Sequence, residues 1–196
     1  MTEFEKFQKI PRLSRACVVT EKIDGTNGTI HIEELEGYSH EEDESVWCGD
    51  GYAIWAGSRS KWITPASDNH GFAAWVRDHG RELLALGPGT HRGEWWGQEI
   101  QRNYGLKEKR FSLFNTSKWS DPTVRPTCCL VVPIIAEGIF STKIVDESLL
   151  LLRECGSVAV RGWMKPEGVV VFHVAGNLLF KKTLENDEEP KGQRRN

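Results

Sequence analysis

An α+β fold built on antiparallel sheets is the architecture this sequence predicts. Short β-branched or aromatic segments bounded by Gly, Pro or Asn dominate the chain, and only two runs carry helical spacing. Strands with short connections outnumber helices and no regular βαβ alternation appears, which supports this class. At 196 residues the chain fits one domain and is long enough to bury a core.

In chain order, strands are predicted over Ala16–Glu21, Thr29–Glu33, Tyr52–Ala56, His91–Trp96, Phe111–Phe114, Cys128–Ala136, Val169–Val174 and Leu178–Leu184. A first helix is expected from Asp68 or Asn69. It carries Phe72, Trp75, Val76, His79, Leu83 and Leu86 on one face and stops at Gly87-Pro88. The second opens at Ser141 or Thr142, carries Ile144, Val145, Leu149, Leu152 and Cys155, and ends at Gly156. The acidic stretch between Glu33 and Glu44 reads as a solvated hairpin loop, and residues 185–196 as a flexible tail after a domain of residues 1–184.

Composition narrows the function classes. No window approaches the ~18 apolar residues of a membrane span, and the charged N-terminus lacks a signal core, so a cytoplasmic protein without membrane contact is expected. Five cysteines with no CxxC pair argue against a disulfide framework or a zinc site and read as buried thiols. The six histidines share no metal-ligand spacing. With a net charge of -3, nucleic acid would have to be held by a local basic patch. One candidate is Arg102, Lys107, Lys109, Arg110 and Lys118, interleaved with Tyr104 and Trp119; a solvated loop explains that run as well. Of the eight tryptophans, most read as core or rim and some as stacking platforms.

The chemistry-bearing signal is "VVTEKIDGTNG", a β-branched strand running into Lys22 and then a flexible turn. Lys22-Ile23-Asp24-Gly25 matches a KxDG pattern, which alone is compatible with an ordinary hairpin lysine. Further signals follow in order: Arg59 in "GSRS", Glu94 in "HRGEWWG", Phe111 and Phe114 in "RFSLF", Glu167 in "KPEGVVVF", and Lys181 and Lys182 in "NLLFKKT". With this ordered set the chain resembles the covalent nucleotidyltransferases, the superfamily of polynucleotide ligases and mRNA capping enzymes. It looks most like their RNA ligase 2 branch, in which a glutamate (here Glu21) precedes the lysine and an asparagine (here Asn27) follows the glycine-threonine pair. The resemblance runs from about Val18 to Lys182.

That resemblance implies an antiparallel-sheet adenylyltransferase core of the ATP-dependent ligase type. Lys22 would attack the α-phosphate of ATP, and a lysine amine can do so only unprotonated, although its ordinary pKa is about 10.4. Partial desolvation and nearby cations favour the neutral form. Glu94 would contact the ribose, Glu167 would help hold Mg²⁺ or Mn²⁺, and Arg59 and Lys181 would bind phosphate. Glu21, Ile23, Asp24, Asn27 and Lys182 would line the nucleotide site. Phe111 and Phe114, three apart in a strand, should face opposite ways; one stacks on adenine, and the family pattern favours Phe111.

Three positions depart from the pattern. The fifth motif's second lysine, expected two residues after Lys181, is Thr183, and strand alternation turns the adjacent Lys182 away unless a bulge intervenes. Asp24 stands where the branch carries histidine, and Gly28 where it carries an aromatic. The residues after Thr183 are too few for the OB-fold domain of capping enzymes and DNA ligases, or for a helical C-terminal domain. Those before Lys22 are too few for a nicotinamide-reading domain, so ATP is the expected donor. The expected partners are RNA ends or a nicked duplex, with a partner protein as a source of additional nucleic-acid grip. DNA nick sealing and a nucleotide-binding module dependent on a partner are the alternatives.

Overall fold

The computed structural model describes residues 4–35, 45–68 and 70–188. The described strands are β1 (Ala16–Lys22), β2 (Thr26–Glu34), β3 (Trp47–Gly49), β4 (Tyr52–Gly57), β5 (Trp62–Ile63), β6 (Gly89–Gly97), β7 (Lys109–Leu113), β8 (Cys129–Val131), β9 (Ile134–Ile139), β10 (Gly168–His173) and β11 (Leu178–Thr183). The helices are α1 (Phe72–Asp78), α2 (Gly80–Leu83), α3 (Thr116–Trp119) and α4 (Thr142–Cys155). They assemble into two compact units, Met1–Lys22 with Pro133–Asn196, and Ile23–Val132.

The first unit is a four-stranded antiparallel sheet in the order β11-β10-β1-β9. Alternation along β1 puts Cys17 and Val19 on one face, where they pack with Val169, Val171 and the α4 residues Val145, Leu149 and Leu152. Burying each such aliphatic side chain contributes about 1.5–3 kcal/mol, which seats α4 on this face. The helix begins as its sequence predicts, Ser141 Oγ accepting from the Ile144 amide at 3.3 Å. Gly156 ends it at φ 80°, where a Cβ would lie 2.5 Å from the Trp163 carbonyl oxygen.

The second unit is a six-strand path, β3-β4-β2-β6-β7-β8, with β5 attached to β4. Its core face carries Ile30, Ile32, Ile54, Ala56, Trp95, Phe111 and Leu113, covered by Phe72, Ala73 and Val76 of α1. The single helix expected from Asp68 or Asn69 is instead α1, α2 and a 3-10 turn at Leu84–Leu86. Asn69 lies outside the described residues, and the helix starts at Phe72 because Gly71 takes a left-handed φ of 75°. The break falls at His79, whose Nδ1 lies 2.8 Å from the Trp75 carbonyl, and Gly80 is packed against the Trp47 ring.

Cys128–Ala136 is two strands. Pro133, with no N–H for a ladder, separates β8, which pairs parallel with β7, from β9 in the other unit. Strands β3 and β5 lie outside the set that the sequence predicts. The loop assigned to the acidic stretch falls largely on residues 36–44, outside the described residues, as does the tail from 189. Two cysteines correct the reading of buried thiols: Cys48, in the short strand β3, and Cys155, on the last residue of α4, are exposed. No helix among the described residues is long and apolar enough to cross a membrane.

Candidate active site

Lys22 is the last residue of β1 and pairs across the ladder with Gly168, the first residue of β10. That register brings the residue before Gly168 beside the lysine. Lys22 Nζ donates to Glu167 Oε2 at 2.6 Å, a contact spanning 145 residues of sequence, with both side chains largely withdrawn from solvent. Gly168 is held at φ 154°, and a Cβ there would meet the Lys182 carbonyl oxygen at 2.3 Å, so the chain can approach β11 only as glycine.

Glu21 points to the opposite, α4 side of β1 and is buried. Its carboxylate accepts from Ser157 Oγ at 2.6 Å and from the Val158 and Ala159 amides at 2.8 Å each. Burial pushes this carboxyl above the ordinary range, while hydrogen bonds from Ser157 and the two amides pull it down. Its position makes Glu21 an anchor for the 157–159 segment rather than a neighbour of Lys22 on the other face.

The regular β10–β11 register settles the faces of the paired lysines. Lys181 pairs with Val170, itself opposite Thr20, and so shares the face of Lys22. Lys182 pairs with Val169 on the α4 face, where its Nζ donates to Asp146 Oδ1 of α4 at 3.0 Å. Thr183, opposite Gly168, returns to the Lys22 face; its Oγ1 donates to the Glu185 carbonyl at 2.9 Å and its amide to Asp187 Oδ1 at 2.8 Å. No bulge intervenes, and Lys181 has no ion pair among the described residues.

In the second unit the chain after Ile23, which is buried, makes a corner at Asp24-Gly25. The Gly25 amide donates to Glu94 Oε1 at 3.0 Å, and Asn27, which pairs with Glu94 across β2 and β6, donates from Nδ2 to Glu94 Oε2 at 3.4 Å. A Cβ on Gly25 would lie 2.5 Å from the Trp95 carbonyl oxygen. Two residues outside the predicted site complete the corner. The Asp24 amide donates to the Tyr104 hydroxyl at 2.8 Å, and Arg102 Nε donates to Asp24 Oδ2 at 3.0 Å. Both come from a loop in which Glu99, Gln101, Asn103 and Tyr104 all take positive φ, each an unfavourable backbone state for a residue with a Cβ. Nothing local in "QEIQRNYG" signals that shape.

Phe111 is fully buried in the core, 5.1 Å from Phe72 between ring centroids, whereas Phe114 lies past the end of β7 and is exposed. The two rings do point to different surroundings. Gly28 has its explanation here: a Cβ would meet Phe72 at 2.6 Å and Phe111 at 2.9 Å, so aromatic rings from elsewhere already fill that space. Arg59 sits exposed in the turn between β4 and β5, without an ion pair among the described residues. That turn is closed by the Ser58 amide donating to the Lys61 carbonyl at 2.8 Å.

Most of the basic run from Arg102 to Lys118 is used internally. Arg102 holds Asp24, Lys109 Nζ donates to the His70 carbonyl at 3.0 Å, Arg110 pairs with Glu108, and Lys118 lies 4.3 Å from the Trp119 ring centroid. Among the described residues no three His, Cys, Asp or Glu groups cluster as a metal cage. One carboxylate is what a Mg²⁺-type ion bound chiefly through phosphate oxygens and water requires from protein, and Glu167 fits that limited part.

Lys22, at a strand end, thus lies beside an acid from a distant strand within a sheet-dominated α+β fold. A model of the RNA ligase family matches residues 15–183, and the chain belongs to that family. Among solved structures, an apo mutant of Naegleria gruberi RNA ligase superposes with a TM-score of 0.57 at 19% identity, covering 87% of this chain and 50% of that one. A second mutant of the same ligase, solved with ATP and Mn, gives a TM-score of 0.56 at 19% identity, covering 86% and 48%. A third, with AMP and Mn, gives 0.55 at 18% identity, covering 86% and 49%. The chain thus spans about half the length of those ligases, and the likeness establishes a common fold. No curated protein matches the sequence.

Proposed function

We propose that residues 1–184 form the adenylyltransferase part of an ATP-dependent RNA ligase. The Lys22 amine attacks the α-phosphorus of ATP; the N–P bond forms, the bond to pyrophosphate breaks, and the amine proton passes to a base, leaving lysyl-AMP. An RNA 5′-phosphate oxygen then attacks that phosphorus and releases Lys22, and an RNA 3′-hydroxyl finally displaces AMP to form the phosphodiester. The observation that carries the reading is the 2.6 Å contact of Lys22 with Glu167, a contact between the first and fourth motifs in a chain of this family.

Glu167 is the proton acceptor nearest the amine, and Glu94 and Asn27 receive the ribose. Lys181, which shares the Lys22 face, and Arg59 stabilise charge on the transferring phosphoryl group. Glu167 would help hold a divalent cation, Mg²⁺ or Mn²⁺, which would supply charge neutralisation at the phosphates. The Naegleria ligase solved with ATP and Mn supports this choice of cofactors. We place the activity in the cytoplasm.

Incubation with ATP and Mg²⁺ or Mn²⁺, followed by intact-mass spectrometry, is expected to show a gain of one AMP that Lys22→Ala abolishes. A wild-type protein that acquires no AMP under either metal would end this reading.

A further inference from the structure

Trp62 is 45% exposed, while Trp55, Trp95, Trp96 and Trp119 are buried in the same unit. It stands on β5 opposite Gly57, on the side of the sheet away from the α1-covered core. Its six-membered ring lies across that glycine, where a Cβ would come within 3.0 Å of Cε3, and His31 steadies it at 5.9 Å between ring centroids. The pairings Trp62–Gly57, Gly57–Thr29 and Thr29–Arg92 set these four residues in one row across β5, β4, β2 and β6. Three strand steps of ~4.8 Å make the row about 14 Å wide, with the aromatic at one end, a guanidinium at the other, and two small residues between.

The next row on the same face is Asn27 and Glu94, two residues along β2 and about 7 Å away, close to one nucleotide step of an extended strand. Arg92, Lys61 and Arg59 are all exposed and have no ion pair among the described residues. On the far side, the Glu33 carboxylate is held by His31 Nε2 at 2.7 Å. The face therefore offers an open ring and, in Arg92, a guanidinium with no ion pair among the described residues, beside the residues read as the ribose contact.

We propose that this row binds unpaired RNA nucleotides next to the end being joined, one base stacking on Trp62 and a flanking phosphate lying against Arg92. Aromatic platforms accept bases that are free to splay, whereas duplex bases already stack on one another. The surface thus selects single-stranded ends over nicked duplexes. It rests on the ligase reading above and deepens it by naming the form of the RNA.

The test measures anisotropy of a fluorescein-labelled, 5′-phosphorylated single-stranded RNA of about twelve nucleotides, without ATP, on wild type, Trp62→Ala, Trp62→Phe and Arg92→Gln. Trp62→Ala is expected to weaken binding about 10-fold and Trp62→Phe to restore most of it. Arg92→Gln should weaken binding and flatten the slope of log K against log salt by about 0.7. With the RNA annealed to its complement, Trp62→Ala should bind as wild type does. Equal affinity of Trp62→Ala and wild type for the single strand, or an equal loss on the duplex, would overturn the proposal. Lysyl-AMP formation by wild type is scored separately. A protein that takes AMP but ignores Trp62 sinks this surface alone, and one that takes no AMP yet needs Trp62 for RNA sinks the ligase reading alone.

Discussion

Lys22 Nζ and Glu167 Oε2 lie 2.6 Å apart, with the two side chains 17% and 6% exposed. The amine's lone pair is free for attack only when the proton in that contact has moved away. Glu167→Gln keeps the shape of the side chain and removes the basic oxygen. It is expected to slow lysyl-AMP formation by about 10²–10⁴-fold in a time course of adduct mass. An unchanged rate would move the proton acceptor to another group.

Gly25 tests the corner that follows the lysine. Its missing Cβ would sit 2.5 Å from a backbone oxygen, that of Trp95, and 2.7 Å from Trp96 Cβ, neither of which is a flexible side-chain end. Gly25→Ala should therefore cost about 1–3 kcal/mol in urea unfolding and weaken the adduct together with it. Wild-type stability in the variant would mean that the corner shifts without strain.

Much of this fold is legible because its strands are β-branched and punctuated by Gly and Pro, and because α4 carries both its cap and its stop. The period of two along "NLLFKKT" assigns Lys181 and Lys182 to opposite faces, and unbroken register keeps them there. Strands β3 and β5 are too short to show alternation, and their partners are distant in sequence. Pro133 splits a single apolar run between two sheets, which only the pairing partners reveal. Arg102 and Tyr104 reach Asp24 across 78 and 80 residues through a loop bent by non-glycine positive φ values, so no local pattern announces them.

Glu21 makes a pH prediction with a definite sign. Burial raises its folded pKa above the ordinary 4.5, against the opposing hydrogen bonds, so the folded chain holds this proton more tightly than the unfolded one. The stability tied to that proton is whole below 4.5 and is lost as pH rises through the raised folded value. Glu21→Gln has no such proton. Urea midpoints from about pH 4 to about pH 8 should show the wild-type stability falling relative to Glu21→Gln as pH increases. A difference growing in favour of wild type would mean that the hydrogen bonds from Ser157, Val158 and Ala159 outweigh desolvation.

The two lysines of β11 separate position from mere proximity in sequence. Lys182 spends its charge on Asp146 of α4, an exposed pair worth less than about 1 kcal/mol, while Lys181 shares the face of Lys22 and has no such partner among the described residues. If charge on the Lys22 face governs phosphoryl transfer, Lys181→Ala should slow adduct formation by about 10²–10³-fold. Lys182→Ala should slow it at least about 10-fold less. Thr183, directly opposite Gly168, offers the complementary gain: Thr183→Lys restores a second cation two residues on, on the same face, and should accelerate the step. If Lys182→Ala proved the more damaging change, β11 would have to slip by one residue when nucleotide binds, since only a register shift exchanges the two faces.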